Sequence, residues 1–194
     1  LIWMVKMLCR FLLKLWGFKV TGPNPEVVPK KVYAVYPHTS NWDFLLGILL
    51  KFAMPIDVNY IAKDSLFRWP HGILFRKLGG IPVDRSKNNN FGDTMANLYN
   101  KYDKLAFAIS PEGTRKSVSK FKSGFYYIAV KAKVPIILVK FDFGNKVVDY
   151  SEPFYPTGVY ADDLPFIIKH FKGTKGKNPE LACQWEDEFK QENK

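Results

Sequence analysis

Val134-Pro135-Ile136-Ile137-Leu138-Val139 carries no polar side chain. A strand of that composition has nothing to offer water on either face, so it belongs in a sheet covered on both sides or lines an apolar pocket. Two more runs share the character: Tyr33-Ala34-Val35-Tyr36, closed by Pro37, and Leu105-Ala106-Phe107-Ala108-Ile109, which enters Ser110-Pro111-Glu112-Gly113. A further strand-like segment starts at Gly79-Gly80 and ends at Asp84-Arg85. Between these runs the apolar spacing becomes helical, over Phe44 to Leu50 behind Ser40-Asn41, over Phe91 to Tyr102, and at Phe125, Ile128 and Ala129 behind Ser123. Strands alternating with helices predict an α/β fold: one mixed, largely parallel sheet of about seven strands from Val32 to Tyr150, with helices on both faces. Asn145-Lys146 predicts a hairpin between 136–143 and 147–150, hence the mixed character. Helices are expected over Asp162 to Phe171 and Pro179 to Lys190. At 194 residues and 47% hydrophobic the chain can bury one good core.

The turns at the strand ends carry the chemistry. His38 lies between the strand closed by Pro37 and the helix opened by Ser40-Asn41, and Asp43 falls in that helix's first turn. A carboxylate on one ring nitrogen fixes the tautomer that lets the other nitrogen take a proton from a hydroxyl or amine. With three histidines and 18 acidic residues in the chain, the spacing alone is weak, and the alternative is that His38 caps a turn while Asp43 favours the helix N-terminus. A second strand end presents Glu112, Gly113, Thr114 and Arg115, with Pro111 and Gly113 enforcing a tight turn. Arg85 ends a third, and its planar fork suits phosphate oxygens. Lys63, at the end of another strand-like run, and Lys122, beside the helix behind Ser123, are further candidates for an anion pocket. Three scattered histidines and two cysteines, Cys9 and Cys183, without CxxC spacing give no metal pattern. His71 and His170 read as structural, and the cysteines as reduced on the cytosolic side.

The net charge is +11. Residues 63–122 hold 12 Lys or Arg against 5 Asp or Glu, so the excess surrounds the candidate site, whereas 171–194 is balanced. Such a field attracts anionic partners. Nucleic acid ranks below lipids and phosphorylated small molecules because no nucleic-acid-binding motif is interleaved with the basic residues. At the N-terminus, Leu1 to Trp16 is apolar except for Lys6, Arg10 and Lys14, which share one helical face. A helix of that length spans about 24 Å, short of the roughly 30 Å hydrocarbon core. It fits an interfacial helix, with the cations at anionic head groups and Trp3, Phe11, Leu12 and Trp16 in the acyl boundary. The alternatives are a helix packed on the domain or a signal peptide, which would lack a cleavage site here. Leu66 to Leu78, aromatics and cations around Pro70, reads equally as an interfacial edge or a core-facing helix pair.

His38-x4-Asp43, Gly80-Ile-Pro-Val-Asp-Arg85, Pro111-Glu-Gly-Thr-Arg115 and Val134-Pro-Ile136 resemble, in order and spacing, the four sequence blocks of the glycerolipid acyltransferases, the PlsC-like 1-acylglycerol-3-phosphate acyltransferase superfamily. The resemblance covers roughly residues 30–142. The run His38-Thr-Ser-Asn-Trp-Asp43 looks like a bacterial subgroup. Pro37 stands where asparagine is frequent, Ser110 where an aromatic is, and Leu138 where a second proline is.

The resemblance implies an enzyme of phospholipid biosynthesis, with His38 as general base and Asp43 its partner. Glu112, Gly113, Thr114, Arg115 and Arg85 would hold the acceptor, above all a phosphate. The reaction would move a fatty acyl group from acyl-CoA or acyl carrier protein to a hydroxyl of a lysophospholipid or glycerol-phosphate-like acceptor. Because a thioester is already activated, no cofactor, metal or covalent enzyme intermediate is required. An N-acyltransferase making an aminolipid and a non-catalytic lipid-binding module are the alternatives. Residues 1–18 are expected as the interfacial helix and 19–194 as the acyltransferase domain, peripheral or monotopic on the cytoplasmic face of the plasma (inner) membrane.

Overall fold

A computed structural model describes residues 2–54, 56–83 and 91–184. In chain order the elements are α1 (Ile2–Leu15), β1 (Lys19–Thr21), β2 (Lys30–Tyr36), α2 (Asn41–Ala53), β3 (Asn59–Lys63), α3 (Gly72–Lys77), β4 (Gly80–Val83), α4 (Phe91–Lys101), β5 (Leu105–Ile109), α5 (Gly124–Ala132), β6 (Ile136–Asp142), β7 (Val147–Tyr150) and α6 (Tyr160–Phe171). Short 3-10 turns occupy Pro25–Val27, Asp64–Phe67 and Pro179–Leu181.

The sheet runs β1-β7-β6-β2-β5-β3-β4. Its pairings are parallel except β6 with β7, the hairpin at Asn145-Lys146, where Lys146 takes a left-handed φ of 56°. The seven strands are present but differently placed from expectation. Six begin between Lys30 and Tyr150, and the seventh is the edge strand β1, three residues paired with β7. Its burial pattern is exposed throughout, so it carries no apolar run to betray it.

Side chains of the central strands alternate between two cores, as the period of two demands. On one face Val32, Ala34, Ile136 and Leu138 pack with Met95 and Tyr99 of α4, Phe125 and Ile128 of α5, and Ile167 and Phe171 of α6. On the other, Tyr33, Ile137, Val139 and Phe141 pack with Leu46, Leu49 and Leu50 of α2 and with Cys9 and Leu13 of α1. The apolar run that opens β6 is therefore core on both faces, with Val139 and Phe141 also bordering cavities.

Helix α1 is docked by Cys9 and Leu13, and Arg10 Nε donates to the Ala53 carbonyl at 2.9 Å. Trp3, Met4, Met7, Leu8, Phe11, Leu12 and Leu15 remain exposed. Trp16, expected at the acyl boundary, instead meets Phe18, Trp42 and Phe143 edge to face. It follows the helix and falls on its packed side, with Cys9 and Leu13, at 100° per residue. Among the described residues no helix is long and apolar enough to cross a membrane. The Leu66 to Leu78 segment divides similarly: Phe67 is buried while Trp69, Ile73 and Leu74 are exposed. Of the C-terminal helix expected over Pro179 to Lys190, the described part is a 3-10 turn, Pro179–Leu181, and residues 185–194 lie outside the described residues.

Candidate active site

Register explains why two distant motifs meet. β2 and β5 are parallel neighbours with Ala34 opposite Ile109, so both chains leave the sheet side by side, one into Pro37-His38 and the other into Ser110-Pro111-Glu112. Ligand sites of open α/β sheets lie at such carboxyl ends.

His38 is held from both sides. Its Nδ1 lies 3.2 Å from Asp43 Oδ2. The same oxygen accepts the backbone N–H of Thr39 and of Ser40, each at 2.8 Å. Ser40 is the N-cap of α2, its Oγ accepting from Trp42 N, and Asp43 completes the capping box. One carboxylate thus both completes the cap of α2 and meets the imidazole of His38. Asp43 is buried, and its Oδ1 has no hydrogen-bond partner among the described residues. The His38 side chain is 31% exposed and lines a cleft, so with Nδ1 tied to Asp43 its Nε2 is the nitrogen left to meet a substrate.

Glu112 departs from its expected place in the acceptor pocket. It is fully buried: Oε2 accepts the backbone N–H of His38 at 2.5 Å and Oε1 that of Cys183 at 3.1 Å. Burial raises its pKa, opposed by those two backbone hydrogen bonds. Its carboxylate anchors the turn that carries His38.

The next three residues do reach the cleft. Gly113 has a φ of 63°, and a Cβ there would lie 2.9 Å from Lys122 Cδ, so the bare glycine lets the Lys122 side chain run across the turn. Thr114, Arg115 and Lys122 line the cleft with His38 and Asp43. The Arg115 guanidinium donates through Nη1 to Asn41 Oδ1, which ties it to the first turn of α2. Lys63 ends β3, paired with Val83, but its side chain is outside the described set, as is Arg85 two residues beyond β4. Of the other histidines, His71 is exposed before α3, and His170 is partly buried against Phe171, its pKa lowered to about 4 by burial and by Lys140, with Asp149 opposing.

The cleft encloses about 550 Å³. His38, Thr114, Arg115 and Lys122 make one end polar, while Phe44, Gly47, Ile48, Val58, Tyr60 and Phe141 make an apolar trough along α2. Asp43, Gly47 and Lys51 recur at every fourth residue, so the trough follows one face of that helix for about 12 Å. Lys51 stands at the far end, its Nζ donating to the Val58 carbonyl at 2.6 Å and its pKa lowered by burial, against the pull of Asp57. Sequence reasoning missed Asn41, Lys51 and the trough. Asn41 was visible beside the histidine, whereas the trough is created by the packing of α2 across the sheet.

The cleft sets a His-Asp pair beside an apolar channel with two cations at its mouth. Residues 18–141 match the family described as Acyltransferase. The chain is 27% identical over 173 residues to the 1-acyl-sn-glycerol-3-phosphate acyltransferase of Haemophilus influenzae, covering 79% of this chain and 71% of that one. It is 33% identical over 183 residues to the enzyme of the same name from Saccharomyces cerevisiae, covering 89% of this chain and 59% of that one. The fold resembles the crystal structure of the 1-acyl-sn-glycerophosphate (LPA) acyltransferase PlsC from Thermotoga maritima, with a TM-score of 0.57 at 22% identity over 88% of this chain and 76% of that one. With His38, Asp43, Glu112 to Arg115 and most of the sheet inside the matched residues, the chain belongs to the Acyltransferase family.

Proposed function

We propose that this chain transfers a fatty acyl group from a thioester, acyl-CoA or acyl carrier protein, to the free hydroxyl of a 1-acylglycerol-3-phosphate. The observation that carries the reading is the cleft, which joins a His-Asp pair, two cations and an apolar trough of acyl-chain character. The relatives with that activity in their names support the acceptor. His38 Nε2 takes the proton of the acceptor hydroxyl as its oxygen bonds to the thioester carbonyl carbon. The tetrahedral adduct then expels the thiolate, which recovers the proton, leaving an ester and a thiol. Asp43 keeps Nδ1 protonated and stabilises the imidazolium between the two steps. Arg115, braced by Asn41, and Lys122 hold the acceptor phosphate beside the base. The thioester supplies the activation, so the scheme uses no resident cofactor.

The setting we propose is peripheral, on the cytoplasmic face of a membrane. The exposed apolar face of α1 lies opposite the face docked by Cys9 and Leu13, with Lys6, Arg10 and Lys14 along one border. That arrangement suits immersion to head-group depth, with the domain held by the docked side.

With purified protein, a labelled acyl thioester and 1-acylglycerol-3-phosphate, His38→Ala should lower kcat by about 10³-fold or more; near-normal turnover would remove His38 as the base. Arg115→Ala should raise the acceptor KM by roughly ten- to a hundredfold with a smaller change in the donor KM. An unchanged acceptor KM would mean that the phosphate is held elsewhere. Met7→Glu with Phe11→Glu, both on the exposed face of α1, should abolish co-flotation with anionic phospholipid vesicles while leaving the thermal midpoint close to the parent's. Retained flotation would refute the α1 face as the membrane contact.

A further inference from the structure

The segment that follows α6 lies outside the residues that match the family, yet it grips the turn beside the base. Thr39, next to His38, is buried at 2% exposure. Asn178 bonds it twice: the Asn178 backbone N–H donates to Thr39 Oγ1 at 3.1 Å and Asn178 Nδ2 donates to the Thr39 carbonyl at 3.1 Å. Gly176 packs flat on the same residue, since a Cβ there would sit 2.7 Å from Thr39 Oγ1 and 3.2 Å from Pro37 Cβ. Cys183 N–H reaches the other side of the turn through Glu112, whose second oxygen holds His38 N–H. The ends of the segment are themselves fixed, by Phe143 N–H on the Lys175 carbonyl at 2.8 Å and by Gln184 N–H on the Val118 carbonyl at 3.1 Å.

We infer that residues 173–184 form a strap that positions the base, with Asn178 as the positioning residue. The inference rests on the reading of His38 as base. The strap touches Pro37, Thr39 and, by way of Glu112, the backbone of His38, and it leaves the imidazole itself to Asp43. Its effect is to hold the backbone of the 37–40 turn so that the Asp43 carboxylate, already bonded to Thr39 N–H and Ser40 N–H, meets Nδ1 in one geometry. A buried Thr39 carbonyl stripped of its donor would lose a hydrogen bond that water cannot easily replace, and the turn would shift to recover one. Because catalysis by a positioned base falls steeply with small displacements, the loss appears in turnover, and substrate binding by Arg115 and Lys122 on another turn is spared.

The test uses the full chain in two independent readouts. In Asn178→Ala, amide hydrogen exchange at His38, Thr39 and Ser40 should accelerate at least tenfold while the core amides of β2 and β6 stay protected. In the acyl-transfer assay kcat should fall roughly ten- to a hundredfold, with KM for donor and acceptor within twofold of the parent. Gly176→Ala, which pushes the strap off Thr39 without touching Asn178, should move both readouts the same way. Unchanged exchange at the 37–40 turn would overturn the strap. Accelerated exchange with normal kcat would overturn its role in positioning the base. A parent protein that exchanges as described but acylates no 1-acylglycerol-3-phosphate would overturn the proposed function, and the exchange comparison would still decide whether the strap holds the turn.

Discussion

Glu112 places a carboxylate in the interior between the ends of two parallel strands, and the geometry of the site hangs on it. An ionised carboxylate withdrawn from water costs several kcal/mol unless its oxygens are engaged. Here one oxygen receives His38 N–H and the other Cys183 N–H, and hydrogen bonds to a charged acceptor contribute about 1.5–3 kcal/mol each. The carboxylate therefore fixes three pieces of chain that have no contact in sequence: the turn after β2, the turn after β5 and the segment after α6. Its own turn goes on to present Thr114 and Arg115, so His38 and Arg115 are set relative to each other through this one buried group. Asp43 does the finer work on the other side of the histidine, where a helix cap and a ring orienter are the same oxygen.

The two carboxylates divide the labour by environment. Asp43 faces a cleft and touches the imidazole, so it can answer the charge that the proposed proton transfer places on His38. Glu112 takes the backbone N–H of His38 and of Cys183, with the Ser110 hydroxyl beside them, and holds position. The polar end of the cleft is correspondingly narrow in composition: an imidazole, a guanidinium braced by Asn41 and an ammonium lying over Gly113. Everything below it is apolar until Lys51, which suits one end of an amphiphile that carries its charge at the other.

Much of this was legible in the chain. The unbroken apolar run at Val134 to Val139 demanded a sheet covered on both faces, and the turn chemistry at Pro37, Ser110-Pro111 and Asn145-Lys146 marked where strands end. His38, Asp43 and Arg115 could be named because the four blocks that hold them resemble those of a known family, the His-x4-Asp spacing alone being weak. What was not legible depended on packing between distant segments. Glu112 looked like a ligand because nothing in its neighbourhood announces that it would be buried against the amides of His38 and Cys183. β1 escaped notice because three exposed residues leave no periodic trace. Asn178 sits in a polar loop 140 positions from the histidine, and the contact with Thr39 exists only after the last helix turns the chain back. The N-terminal helix was half legible: its amphipathic character was plain, but which apolar residues face the protein and which face outward was decided by the docking of Cys9 and Leu13 on α2.

The central claim is that Asp43 fixes His38 with the proton on Nδ1 and the lone pair on Nε2. Nitrogen-15 NMR of the histidine side chains at neutral pH, assigned with His38→Ala, measures this directly. The account predicts that the neutral form of His38 carries its proton on Nδ1, with an unprotonated Nε2, and that Asp43→Asn abolishes that preference. A His38 protonated at Nε2, or an even mixture of tautomers, would contradict it.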